Sequence, residues 1–227
     1  MIHPPSATAV KAVIFDVYHT LLAVEDGPTE TAGRWDSLWT GFFSAPPPFS
    51  LTSFDAACRD AVDGAHARRR AEGRLWPEVD WRAVACEAAP ALSGLERASL
   101  DAFLFGHARL QRTTRAMPGA AAFLTGLKRR GILTGIASNA QRYTLDELAA
   151  AGLPATGFAR ELCFWSFQQG FSKPDPAVFF WLSQRLAMRG ISPEETLMIG
   201  DRLDNDVQPA KAAGWQTWHF QKAWPKA

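Results

Sequence analysis

Ala12-Val-Ile-Phe-Asp16-Val-Tyr18-His19-Thr20-Leu21 is the stretch whose reading decides the fold. An unbroken apolar run with β-branched residues ends in a carboxylate, the pattern of a short strand buried on both faces. Such a strand belongs in the middle of a parallel sheet. Asp16 then stands at its carboxyl end, where open α/β sheets gather their functional groups.

Working outward, residues 132–137, 196–199 and 216–220 repeat the pattern after helical stretches, and 162–165 adds a further strand. Pro118-Gly119 opens a helix that carries Ala122, Phe123 and Leu127, and Lys128-Arg-Arg-Gly131 closes it, a proline start with a glycine stop. Strand and helix alternate from there on, which indicates βα units. Residues from about 25 to 115 break the alternation: they show no convincing strand, a loop at Pro46-Pro47-Pro48, and helical stretches over 54–70 and 81–87. The expected fold class is therefore α/β: a Rossmann-like three-layer core with a parallel sheet, over residues 1–24 and 113–227. An α-helical cap domain is inserted at 25–112, above the carboxyl edge of the sheet. Trp35 and Trp39, one helical turn apart, and Trp76 with Trp81 are expected to pack inside the cap. The basic run His66, Arg68, Arg69, Arg70 and Arg74 reads as a solvated helix face.

The 227 residues are 47% hydrophobic, enough to bury a substantial core, and the formal net charge of +1 offers no global field for nucleic acid or an anionic membrane. Cys58, Cys86 and Cys163 match neither a metal spacing nor a disulfide framework, as expected in a reducing compartment. No stretch approaches the roughly 20 apolar residues of a membrane helix, and the apolar start lacks the features of a signal peptide. The expectation is a soluble cytoplasmic protein, monomer or homodimer, acting on a small anionic molecule, with no nucleic-acid or membrane partner.

Four polar clusters fall at strand ends or loops: Asp16 to Thr20, Ser138-Asn139, Lys173-Pro-Asp-Pro176, and Gly200-Asp201-Arg-Leu-Asp204-Asn-Asp206. In a parallel sheet they converge on one crevice. There a carboxylate can attack phosphorus or carbon if a cation offsets the charge of an anionic substrate. Lys173 offers that cation, Thr20 and Ser138 offer hydroxyls, and Asp16 with Asp201 would give hard oxygen ligands to Mg²⁺. Asp204 is expected to be solvated, and Ser138 could also cap the following helix.

In order and spacing these clusters, with Met117-Pro-Gly119 and Ala210-x-x-Ala213-Gly214, are similar to the four motifs of the haloacid dehalogenase-like superfamily. The resemblance implies a hydrolase with Asp16 as nucleophile. Mg²⁺ would be held by Asp16, the main-chain carbonyl of Tyr18 and Asp201, with Asp206 supporting the metal shell or Lys173. Thr20, Ser138 and Lys173 would bind the transferring group, and Tyr18, His19 and Asn139 are candidate substrate contacts. Phosphatases of this family carry an acid/base aspartate where this chain has Tyr18, and usually a glycine where it has His19, the nearest titratable alternative. Tyrosine at that position is what 2-haloacid dehalogenases have. Those enzymes lack the metal aspartate of the fourth motif, however, and carry a tyrosine where this chain has Phe179. Mg²⁺-dependent phosphate-ester hydrolysis is the leading expectation; the alternatives are 2-haloacid dehalogenation and a catalytically weakened binding or regulatory protein.

Overall fold

In the computed structural model, which describes residues 9–221 and 224, the decisive stretch forms strand β1 (Ala12–Phe15), and its side chains are all buried. Next come β2 (Leu22–Asp26) and four helices, α1 (Thr31–Phe43), α2 (Leu51–Ala71), α3 (Trp81–Ala88) and α4 (Arg97–Gln111), before β3 (Arg112–Ala116). Helix and strand then alternate through α5 (Ala120–Arg129), β4 (Leu133–Ser138), α6 (Arg142–Ala150) and β5 (Cys163–Trp165). The chain ends with α7 (Ser166–Gln169), α8 (Pro176–Ala187), β6 (Thr196–Gly200), α9 (Gln208–Ala212) and β7 (Gln216–His219).

The main sheet has the order β5-β4-β1-β6-β7, with every pair parallel, and Phe15 lies between Ile136 and Ile199. Successive side chains of a strand face opposite ways. Val13 and Phe15 therefore pack with Ala120, Leu127 and Leu148 from α5 and α6, while Ala12 and Ile14 pack with Val178, Leu182 and Ala210 from α8 and α9. This is the three-layer α/β core. The inserted helices form a cap domain with its own aromatic core, in which Trp35 lies 5.6 Å from Trp39 and 5.1 Å from Phe54, ring centre to ring centre. Side-chain caps start two of these helices and one in the core: Ser50 accepts from Ser53 N, Asp80 from Arg82 N, and Asp175 from Ala177 N ahead of α8. Trp76 precedes α3, and its carbonyl accepts from Ser172 N.

One element differs from the sequence reading. β2 and β3 form an antiparallel ribbon at the two ends of the insertion, where no strand was expected. β3 is polar but for its last residue, and the apolar Leu22-Ala-Val24 of β2 gives way at once to Glu25 and Asp26. Pairing is supported by cross-strand contacts such as Arg115 to Glu25 at 2.6 Å, and so short an apolar run leaves no readable hydrophobic period.

Candidate active site

A tight loop follows β1. Val17 O accepts from the amides of Thr20, Leu21 and Leu22 at 3.3, 2.8 and 2.8 Å, turning the chain back on itself. His19 takes a left-handed conformation in this loop, with φ 59°. A side chain there costs about 1–2 kcal/mol, which explains why glycine suits the position.

Asp16 and Lys173 meet across the sheet. Lys173 Nζ donates to Asp16 Oδ1 at 2.7 Å and to Asp206 Oδ1 at 2.5 Å, and both Lys173 and Asp206 are buried. Asp206 Oδ2 also accepts from Arg202 N at 3.0 Å. Gly200 makes room for this carboxylate, since a Cβ there would lie 2.3 Å from Asp206 Oδ2. Asn139 fixes the lysine from the other side: its Nδ2 donates to Lys173 O at 2.9 Å and its Oδ1 accepts from Lys173 N at 2.8 Å.

Carboxylate oxygens of Asp16, Asp201 and Asp206 come within 4.8 Å of one another. Burial pushes the Asp16 carboxyl up to about 7 against the pull of Lys173, and the charges of Asp206 and Asp201 push the same way. Asp201 is raised by burial and then by Asp206, with His19 opposing. Burial alone would lower Lys173, but Asp16 and Asp206 outweigh it and hold the ammonium above its ordinary value. Three acids face one ammonium, and a hard divalent cation fits the excess negative charge and the all-oxygen donor set. Thr20 Oγ1 and Ser138 Oγ are buried with no hydrogen-bond partner among the described residues. Ser138 does not cap the next helix; Gln141 does, in a capping box with Thr144. Buried hydroxyls are normally partnered, so this pair at adjacent strand tips marks a place for a ligand oxygen.

Tyr18 is committed elsewhere. Its hydroxyl meets Thr144 Oγ1 at 2.7 Å, donates to Glu147 Oε2 at 2.5 Å and accepts from an Arg112 amino group at 2.7 Å. The Arg112 guanidinium also lies 4.6 Å from the ring centre and holds Glu147 with two bonds of 3.0 and 3.1 Å. Burial drives the Tyr18 phenol well above its ordinary value, outweighing the pull of Arg112, so it remains protonated at neutral pH. Sequence reasoning missed Arg112, Thr144 and Glu147. A signal existed: Thr144, Glu147 and Leu148 share the buried stripe of α6, and an acid on such a stripe needs a partner.

The remaining positions divide cleanly. His19 is exposed and lines a cavity of about 780 Å³ with Val24, Met117, Asp201, His219 and Gln221, open beside the acidic cluster. Asp204 is exposed and pairs with Arg202. Phe179 is buried in the core against Trp215, 5.5 Å between ring centres. Arg68, Arg69, Arg70 and Arg74 are exposed on and just after α2. No helix among the described residues is long and apolar enough to cross a membrane.

A family model for haloacid dehalogenase-like hydrolases matches residues 10–214. A glyceraldehyde 3-phosphate phosphatase from Pyrococcus furiosus is 33% identical over 107 residues, 47% of this chain and 42% of that protein. The chain spans under half the length of the curated relatives it matches. Among solved structures, a HAD phosphatase from Thermococcus onnurineus has a TM-score of 0.52 at 23% identity, covering 92% of this chain and 85% of its own. A dehalogenase has a TM-score of 0.52 at 21% identity, covering 92% and 84%. Both share the fold, which therefore does not choose between their chemistries.

Proposed function

The chain belongs to the haloacid dehalogenase-like hydrolases and is an enzyme of that kind, and from that premise we propose that it hydrolyses small phosphate monoesters through an aspartyl-phosphate on Asp16. The observation that carries this reading is the pair of unpartnered, buried hydroxyls of Thr20 and Ser138 beside the Asp16–Lys173 contact. Residues 1–24 and 113–227 serve as the catalytic core and 25–112 as the cap.

Mg²⁺ would be held by Asp16, the main-chain carbonyl of Tyr18 and Asp201, and when bound it offsets charge on the transferring group and helps orient it. Asp206 already gives both oxygens to Lys173 and Arg202, so it supports this set chiefly by holding the lysine. Asp16 Oδ2 accepts no hydrogen bond among the described residues and is the free nucleophilic oxygen. It attacks phosphorus, the bond from phosphorus to the ester oxygen breaks, and the leaving oxygen takes a proton from solvent. Water then attacks phosphorus, the bond to Asp16 breaks, and inorganic phosphate leaves. Thr20 and Ser138 donate to the transferring oxygens, and Lys173 has one N–H left to join them. Asn139 acts as a positioning residue through Lys173.

Two observations favour this over dehalogenation. The three-acid cluster calls for a cation that a metal-free dehalogenase does not need, and Phe179 is buried in the core without a hydroxyl. A panel of phosphate esters and 2-chloro acids, run with Mg²⁺ and with EDTA, tests the reading. Phosphate release that EDTA and Asp16→Asn each abolish is the expected result. Chloride release that EDTA leaves intact would establish the dehalogenase instead, and Mg²⁺ binding without either product would favour a binding or regulatory role.

A further inference from the structure

A second cavity, of about 680 Å³, lies between cap helices α1 and α4, strand β3 and the end of α6 at Ala150. Three arginines line it: Arg34 from α1, Arg109 from the last turn of α4, and Arg112 from β3, whose guanidinium is already bonded to Glu147 and Tyr18. No carboxylate is among its lining residues. Arg34 and Arg109 form no ion pair or hydrogen bond through their side chains among the described residues, and Arg109 only rests against the Phe105 ring, 5.8 Å from its centre. Arg34 and Arg109 thus place two cations at one cavity without a counter-charge, whereas arginines such as Arg82 and Arg115 pair with Asp101 and Glu25 at 2.6 Å. Thr113 and Thr114 add hydroxyls, and Leu38 and Leu110 add an apolar wall.

We propose that this cavity is a second, non-catalytic site for a small phosphorylated metabolite, which bridges cap and core. Guanidinium forks match phosphate oxygens in pairs, the two unpaired cations suit a dianion, and the apolar wall suits a short carbon body. Thr20, Ser138 and Lys173 contribute nothing to the cavity lining, so the two sites are separate. Arg112 links them. Arg112, which lines the cavity, also grips the hydroxyl of Tyr18, two residues from Asp16. A dianion in the cavity draws on the same guanidinium and so biases the loop that carries the nucleophile, as coupling between sites requires.

Inorganic phosphate is the probe, titrated calorimetrically into the full chain saturated with Mg²⁺. Two classes of binding site are expected. Arg34→Gln with Arg109→Gln removes the two exposed guanidiniums without touching the core, and weakens one class by about tenfold or more for each charge lost. Ser138→Ala weakens the other class and leaves the first intact. Phosphate also slows amide exchange over Arg112–Ala116 in the wild type and in Ser138→Ala, but not in the double arginine variant. One class of sites, lost in Ser138→Ala and unchanged in the double arginine variant, overturns the proposal. Because the two variants report separately, absence of the Ser138-dependent class in the wild type counts against the phosphatase reading and not against this site.

Discussion

Tyr18→Phe removes one oxygen and nothing else, and it separates a structural pin from a catalytic acid. The hydroxyl has three partners, at 2.7, 2.5 and 2.7 Å, two of them charged. Glu147 and Arg112 remain paired to each other without it, so one lone pair of a buried carboxylate loses its donor while the ring keeps its place under Arg112. A hydrogen bond to a buried charged group is worth about 1.5–3 kcal/mol, and the loss should lie in that range. For a chain of this length it lowers Tm by about 3–12 °C, at roughly 2–4 °C per kcal/mol. Urea unfolding and calorimetry read this change. If Tyr18 were the general acid, its loss would cost about 10²–10⁴ in kcat, whereas a pin costs the chemical step less than about tenfold. A Tyr18→Phe protein of unchanged stability with kcat reduced a hundredfold refutes the assignment of Tyr18 to the Arg112–Glu147 network.

Three further outcomes are expected. With no acid poised for the leaving oxygen, kcat/KM should fall steeply as the leaving group becomes more basic across a series of aryl and alkyl phosphates; Tyr18→Asp should raise turnover of the slow esters by about tenfold or more while lowering stability, and an unchanged rate in a folded variant counts against this account. Asp16, held up to about 7 by burial, favours folding in its protonated form. Its contribution is complete below about 4 and lost as pH rises through about 7, whereas Mg²⁺ affinity rises across the same window, so titration at pH 6 in buffers of different ionisation enthalpy should detect proton release. His19→Gly relieves the left-handed backbone and should stabilise the chain by about 1 kcal/mol in urea unfolding; a hundredfold fall in kcat in that variant would reveal His19 as an acid/base.

The central strands and the four polar clusters were legible because each signal is local. Ala12–Phe15 declares a buried strand by itself, Asp16, Ser138 and Asp201 follow from strand ends in a parallel sheet, and Lys173 from a proline-flanked loop. What stayed hidden depends on distant pairs. The β2–β3 ribbon is joined by residues such as Asp26 and Arg112, which are polar and far apart in sequence. The Tyr18 hydroxyl lies between Arg112 and Glu147, a three-element contact that no periodicity encodes. Asn139 read as a substrate contact from its place beside Ser138. Its amide is occupied by the backbone of Lys173, and only the register of β4 against the 170–173 loop reveals it.

The place of β1 in the sheet has a consequence for how the chain is made. Ala12 pairs with Leu133 on one side and Thr196 on the other, so β1, once it has left the ribosome, meets its nearer partner in sequence only after some 120 further residues. At about 5–20 residues per second, this apolar segment waits for at least several seconds with both edges open. The intervening residues do not wait with it: Trp35, Phe54 and Phe103 close a core of their own, whose fully buried residues all come from the insertion. The cap can therefore be complete while the sheet is still missing its middle, and the vulnerable interval in biogenesis belongs to β1, whose unpaired apolar edges are the natural target for a holding chaperone or for self-association.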